Sequence, residues 1–347
     1  MHYFDIFISA FFISLILTPI VKKLSIKAGF FDIPNERKVH SMPIARLGGV
    51  GIFCGFIASF FVVHFIYNIP LEKTLSSIMI GSFFIVILGF FDDIKELRAS
   101  VKLAGQLFVA IITAISFHGI GFGIQIEFIS NPFGGGLIHL GALSVPITVL
   151  WIIGIINAMN LIDGLDGLAS GVTVIAGFSL FLGALVTGEI TAAFITIAII
   201  GATLGFLKYN YNPASIFMGD TGSMLLGYVL ATVSIIGVLK STTSIALAVP
   251  ILAIGIPIYD TISSIIRRLK RGQPIFKADG QHIHHRLLYI GFTHKQVVKI
   301  MYFASILLGF CSLIMTMLSG VQSLLALIFI CIIIAIGIIK IQKETNY

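Results

Sequence analysis

The chain alternates long apolar runs with short polar segments over its whole length. A helix needs about 20 largely apolar residues to cross the hydrocarbon core of a bilayer. Runs that meet or approach this length predict about eleven transmembrane helices, near 4–21, 46–68, 76–91, 103–119, 144–160, 168–186, 190–207, 222–239, 243–266, 300–318 and 322–339. The pattern therefore predicts an all-α polytopic membrane protein, and the even spread of the runs indicates one integral-membrane domain over residues 1–347.

The composition supports this class. Hydrophobic residues make up 57% of the 347 residues and charged residues only 11%, whereas soluble domains have about 25% charged residues. The cysteines, Cys54, Cys311 and Cys331, lie inside apolar runs and lack the spacing of a zinc site. We therefore expect them to be packing residues.

The basic residues predict the orientation, because Lys and Arg are enriched in cytoplasmic loops. All of them except Lys73 and Lys240 fall on one side of the predicted spans. This places the amino terminus outside and the carboxyl terminus in the cytoplasm, with cytoplasmic loops near 22–45, 92–102, 161–167, 208–221 and 267–299. The net charge of +7 then reflects topology and contact with anionic lipid, so no nucleic-acid partner is predicted.

The aspartates gather on the same predicted face. Every aspartate except Asp5 lies in or beside a predicted cytoplasmic loop, whereas Glu72, Glu127 and Glu189 lie on the other side. Carboxylates beside hydrocarbon are costly unless they are paired or hydrated, and they commonly mark functional sites. A balance of charge against the basic loops is the alternative, but glutamate would serve that purpose equally well.

Two of the segments that carry these acids have helical spacing. In "GFFDDIKELRASVKLAGQ", residues 89–106, Asp92 and Asp93 are adjacent, and Lys102 and Gln106 share one helix face. In "NAMNLIDGLDGLASG", polar residues step by three along one side, and they are Asn157, Asn160, Asp163 and Asp166. Helix capping is the alternative role for both segments.

The other two segments contain candidate ligands for a metal and for phosphate. Asp220 lies in "FMGDTGS" and, with Asn160, offers the hard oxygen ligands that Mg²⁺ prefers; it also fits the N-cap of the next helix. The segment 257–287 begins with Asp260 inside a span and ends in "HIHHR". This ending suits a pyrophosphate, while a solvated basic loop and a zinc site are the alternatives. No cysteine or close glutamate supports zinc.

Together these groups predict phosphoryl transfer at the inner membrane face, with Mg²⁺, or Mn²⁺ as the alternative, neutralising phosphate charge. "GVLKST", residues 237–242, lacks the glycine of a P-loop, and "DGLDGLASG" lacks the arginine of the CDP-alcohol transferases. An ion-coupled transporter is the alternative from another class. Its acids should lie near the bilayer midplane rather than at one face.

The four segments, in this order, resemble the polyprenyl-phosphate N-acetylhexosamine-1-phosphate transferases of glycosyltransferase family 4. "FDIPNERKVHSMPIARLGG", residues 31–49, and "PIYDTISSIIRRLKRGQPIF", residues 257–276, resemble loops of the same family. "HIHH" instead of three consecutive histidines points to the WecA/TagO branch, which uses UDP-N-acetylglucosamine (UDP-GlcNAc). A related UDP-N-acetylhexosamine or UDP-MurNAc-pentapeptide donor, as in the MraY-type cousins, is the alternative.

The resemblance implies a role for each candidate residue. The paired acids Asp92 and Asp93 would be catalytic, and Asn160 and Asp220 would bind the metal. The nucleotide would be bound by Asp163, Asp166, Asn210 and Phe217. The sugar-nucleotide pyrophosphate would be held by His282, His284, His285 and Arg286. The implied partners are undecaprenyl phosphate, UDP-GlcNAc, the lipid bilayer of the plasma membrane and a second copy of the chain.

Overall fold

The computed structural model consists almost entirely of α-helices. It describes residues 2–32, 43–68, 72–117, 120–121, 123–131, 136–237, 248–273 and 282–315, with isolated positions between 318 and 332. The helices, numbered along the chain, are α1 (Tyr3–Ala28), α2 (Gly48–Tyr67), α3 (Lys73–Lys95), α4 (Ala99–Ala114), α5 (Ser144–Ile162), α6 (Leu168–Thr187), α7 (Ile190–Asn210), α8 (Gly219–Gly237), α9 (Ala248–Ala253), α10 (Gly255–Lys270), α11 (Ile283–Tyr289) and α12 (His294–Met315).

Eight helices in the described part of the chain are long and apolar enough to cross a membrane, and they are α1, α2, α3, α5 with the turn before it, α6, α7, α8 and α12. This confirms the predicted all-α polytopic class. Large apolar side chains such as Phe4, Ile16 and Leu24 on α1 are exposed. Such side chains suit contact with lipid rather than water.

The predicted end of the fourth span is wrong. Helix α4 ends at Ala114, not near residue 119, and a short antiparallel pair follows, β3 (Ser116–Phe117) with β4 (Ile120–Gly121). The segment "HGIGFG", residues 118–123, contains three glycines, and glycine has a low helix propensity. Similar pairs join β1 (Phe31–Asp32) to β2 (Ile44–Ala45) and β5 (Phe128–Ser130) to β6 (Leu137–His139).

The predicted ninth span, 243–266, is not one continuous helix. From Ala248 onwards it consists of α9 and α10, which meet at Ile254. Pro257 accounts for the break, because proline has no N–H to bond the carbonyl four residues earlier and its ring clashes with that carbonyl. The predicted eleventh span, 322–339, lies largely outside the described residues.

The helices extend beyond the apolar runs, so the loops at the acidic end are shorter than predicted. Residues 96–98 join α3 to α4, residues 163–167 join α5 to α6, and residues 211–218 join α7 to α8. Lysines at the helix ends can keep their charge in water while their stems remain against apolar surface. The candidate acids consequently lie on helix ends and in tight turns.

Helix α8 is the centre of the bundle. All of its residues from Thr221 to Gly237 are buried, and it packs against α2, α3, α5, α6 and α7. Its first turn lies directly against Gly89 of α3, where a Cβ atom would be 2.6 Å from the Thr221 Cα and 2.7 Å from the Asp220 carbonyl oxygen. The end of α3 therefore fixes the position at which α8 begins.

This contact predicts that Gly89→Ala destabilises the protein, because the added methyl group meets backbone atoms that cannot rotate away. Overpacking of this kind costs about 1–3 kcal/mol. We expect a lower thermal midpoint of unfolding in detergent. The matched control is Gly154→Ala in α5, where a Cβ meets nothing within 4 Å. Equal midpoints for the two variants would contradict the proposed fit between α3 and α8.

Candidate active site

A cavity of about 470 Å³ lies where α3, α5 and α8 meet the turn between α5 and α6. Carboxylates outnumber basic side chains among its lining residues. The predicted site residues that line it are Asp92, Asp93, Asn160, Asp163, Asp166, Asn210, Phe217, Asp220 and His285. The structure thus brings together residues of all four segments, although their individual roles remain predictions.

The ammonium group of Lys102 lies among three oxygen-bearing side chains. Its Nζ is 2.9 Å from Asp92 Oδ2 and 3.3 Å from Asn160 Oδ1, and it also pairs with Asp220 Oδ2. Asn160 Nδ2 donates to Asp220 Oδ1 at 3.0 Å and to the Ser223 hydroxyl at 2.9 Å. These oxygens therefore form a cation site, which in this structure holds the lysine.

Asp93 performs a different task from its neighbour Asp92. Its two carboxylate oxygens accept hydrogen bonds from Asp220 N at 2.8 Å, Thr221 N at 3.0 Å and the Thr221 hydroxyl at 2.6 Å. An anion that accepts from the first N–H groups of a helix stabilises that end of the helix. Asp93 thus caps α8 from another helix, and Gly219, with φ +69°, leaves room for its carboxylate.

The turn between α5 and α6 contains one anchored and one unanchored carboxylate. Asp166 Oδ2 accepts from Asn212 Nδ2 at 2.8 Å and from Ala214 N at 3.0 Å, so it holds the loop that leads to α8. Within the part of the chain that the structure describes, no group donates a hydrogen bond to the Asp163 carboxylate. The pKa of Asp163 is raised to about 8. Burial away from bulk water is the main cause, and the negative charges of Asp93 and Asp166 add to it.

Asn210 lines the cavity and also connects the start of α6 to the loop before α8 through hydrogen bonds. Its Oδ1 accepts from Gly167 N at 3.1 Å and from the Ser170 hydroxyl at 3.0 Å, and its Nδ2 donates to the Ile216 carbonyl at 3.1 Å. Phe217 is held through its backbone, whose N–H donates to the Ala45 carbonyl at 2.8 Å. Contact of either residue with a nucleotide base remains a prediction.

The histidine segment does not face the cavity as a set. His285 lines it, whereas His282, His284 and Arg286 are buried and lie outside the lining. The His284 ring lies against Gly164, where a Cβ atom would be 2.5 Å from Nε2. The pKa of His284 is lowered to about 3, mainly by burial and next by the charge of His285. This imidazole is therefore neutral at pH 7. Gly164 of the second segment leaves room for this ring.

The cavity also contains residues that the sequence did not single out. They include Arg46, which pairs with Asp32, and also Glu96, Leu97 and His294. Arg46 lies in the segment 31–49 that carries the family resemblance, and from the sequence alone its charge indicates only topology. The sequence offered no comparable signal for His294, which begins α12.

Comparisons with known proteins agree with these features. The family model described as glycosyl transferase family 4 matches residues 75–238. The chain is 43% identical to the probable undecaprenyl-phosphate N-acetylglucosaminyl 1-phosphate transferase of Bacillus subtilis, over 88% of this chain and 81% of that protein. It is 33% identical to the decaprenyl-phosphate N-acetylglucosaminephosphotransferase of Mycobacterium tuberculosis, over 85% and 78% of the two chains. The undecaprenyl-phosphate alpha-N-acetylglucosaminyl 1-phosphate transferase of Escherichia coli is 28% identical, over 87% and 81%.

The environment of Asp163 predicts a pH-dependent effect of Asp163→Asn. The pKa is about 8 in the folded protein and about 3.9 in an unfolded chain. The folded state therefore keeps the proton of Asp163 up to a higher pH than the unfolded state does. As a result, the free energy of unfolding falls as the pH rises from about 4 to about 8. Asparagine cannot ionise, so we expect Asp163→Asn to raise the thermal midpoint at pH 8 and to change it much less at pH 5.

The measurement is the midpoint of both proteins in detergent with EDTA, because a bound cation would lower the pKa of the carboxyl group. Asp166→Asn is the contrasting variant. It disturbs an anchored carboxylate, so it should lower the midpoint at pH 8. If Asp163→Asn raised the thermal midpoint by the same amount at pH 5 and pH 8, the raised pKa of Asp163 would be contradicted.

Proposed function

The chain belongs to the polyprenyl-phosphate N-acetylglucosamine-1-phosphate transferases of glycosyl transferase family 4, and from this premise we propose its reaction. It transfers N-acetylglucosamine 1-phosphate from UDP-GlcNAc to undecaprenyl phosphate. An oxygen of the lipid phosphate attacks the sugar-bearing phosphorus, giving undecaprenyl-diphosphate-GlcNAc and UMP. One phosphoanhydride replaces another, so the reaction requires no further source of energy.

The protein is a multi-pass membrane protein, and we place its active site at the cytoplasmic face of the plasma membrane. The basic residues support this orientation, because those beside the acidic helix ends, such as Lys95, Lys102 and Lys208, belong to the cytoplasmic set. UDP-sugars are cytosolic, whereas the lipid phosphate lies in the membrane. A cavity at this boundary can receive both, and the product would begin a cell-envelope glycan.

The observation that carries the proposal is the set of oxygens around Lys102. No group of three His, Cys, Asp or Glu side chains in the described ranges is arranged to hold a metal ion. Carboxylate oxygens of Asp92 and Asp220 and the amide oxygen of Asn160 nevertheless converge on one cation. These hard donors fit Mg²⁺, which typically takes one or two carboxylates and completes its shell with water and phosphate. Asp220 and Asn160 would hold it.

When bound, Mg²⁺ would neutralise the charge that develops on the diphosphate. The protein's own side chains then position the two substrates. His285, Phe217 and Asp166 line the cavity. In the proposed reaction His285 would contact the donor pyrophosphate, and Phe217 and Asp166 would contact the nucleoside. The lipid phosphate needs little help from a general base, because a phosphate monoester with a second pKa of about 6 is mostly dianionic at pH 7.

The test is to incubate the purified full-length protein with undecaprenyl phosphate and a panel of UDP-sugars, and to measure UMP. We expect release with UDP-GlcNAc, complete loss in EDTA and recovery on addition of Mg²⁺. Asp220→Asn should lose most turnover and regain part of it at higher Mg²⁺, because the remaining ligands bind the ion more weakly.

Each substrate has its own control. Omission of the lipid phosphate should abolish UMP release, since the protein would otherwise be a nucleotide hydrolase. Preference for another UDP-N-acetylhexosamine or for UDP-MurNAc-pentapeptide would overturn the choice of donor. Full activity of Asp220→Asn at low Mg²⁺ would contradict the metal assignment and leave Asp220 only as a residue in the capped first turn of α8.

A further inference from the structure

Asp260 is a buried acid that does not line the cavity. It lies in α10 and is 1% exposed. Its Oδ2 is 2.9 Å from His282 Nδ1, and its Oδ1 accepts a hydrogen bond from Ile283 N at 2.9 Å. Ile283 is the first residue of α11, and His282 at the N-cap makes no capping bond with its own side chain. A residue of another helix therefore caps α11.

Three neighbouring imidazole rings connect the capped end of α11 with the cavity. The ring of His282 is parallel to that of His284, with centroids 5.8 Å apart and an interplanar angle of 4°. The His284 ring lies against Gly164 in the turn between α5 and α6, and its centroid is 4.3 Å from that of His285. His285 lines the cavity. The position of α11 beside this turn thus depends on its amino-terminal end, which is bonded to Asp260.

We propose that Asp260 is a positioning residue that fixes α11 so that His285 faces the donor site. The inference rests on the proposed function, in which His285 contacts the donor pyrophosphate. A carboxylate can accept from an imidazole N–H and a backbone N–H at the same time, one with each oxygen. It also keeps the proton of His282 on Nδ1, which fixes the orientation of that ring. Asparagine cannot accept from both donors, because one of its two terminal groups is itself a donor.

The test compares Asp260→Asn with the parent protein in steady-state kinetics. Loss of a hydrogen bond to a buried charged group corresponds to about a tenfold effect. We expect the KM for UDP-GlcNAc to rise about tenfold, while kcat and the KM for undecaprenyl phosphate change less than about twofold. The matched control is Thr261→Val on the same helix, which removes a buried hydroxyl that has no hydrogen-bond partner in the described residues. Equal increases for both variants would overturn the proposal.

A double-mutant cycle with His285→Ala identifies the path of the effect. If Asp260 acts through His285, Asp260→Asn should not raise the KM further in the His285→Ala background. A full further increase there would contradict the proposal. No effect of His285→Ala by itself would instead contradict the role of His285 in the proposed function.

Hydrogen exchange without substrate tests the positioning itself. Amides of Ile283–Tyr289 should exchange faster in Asp260→Asn than in the parent or in Thr261→Val, because the capping bond is lost. Unchanged exchange would overturn the proposal whatever the activity. Should Asp260→Asn not accumulate as folded protein, Asp260→Glu replaces it, with the same carboxylate displaced by one methylene group.

Discussion

The structure depends on how carboxylates are kept charged beside hydrocarbon. A negative charge at such a place requires an opposite charge or several N–H donors, since water cannot surround it fully. Lys102 meets this need for Asp92 and Asp220, and the first turn of α8 meets it for Asp93. Asp163 has neither kind of partner within the described residues, and its pKa is raised because the charged carboxylate is destabilised by burial. The cavity is therefore built to attract a cation.

The buried position of α8 is what makes this arrangement rigid. Five helices pack around α8, and Asp220 is its second residue. Because Asp93 accepts from the N–H groups of Asp220 and Thr221, the acid of α3 determines where the acid of α8 stands. Asp166 and Asp260 act in the same way on the loop before α8 and on α11. These acids thus position the helix ends and the loop around the cavity.

The sequence predicted the helical membrane class and the gathering of the acids, because both follow from local patterns of hydrophobicity and charge. It also placed Lys102 and Gln106 on one face, and Lys102 does reach the cavity acids. It could not predict that Asp93, Asp166 and Asp260 accept bonds from distant segments, since such pairs depend on tertiary packing. Local patterns likewise indicate only a topology charge at Arg46 and one continuous ninth span, whereas the folded chain pairs Arg46 with Asp32 and breaks the helix at Ile254.

We propose that Asp92, Asn160 and Asp220 form one cation site, in which Lys102 occupies the place that a divalent ion would take. Titration of the substrate-free protein with Mn²⁺, followed by the electron paramagnetic resonance signal of the free ion, tests it directly. We expect one Mn²⁺ per chain, displaced by Mg²⁺. Binding should be weaker in Asp220→Asn and tighter in Lys102→Met, because the competing ammonium is absent from the second variant. Binding that neither substitution changes would contradict it.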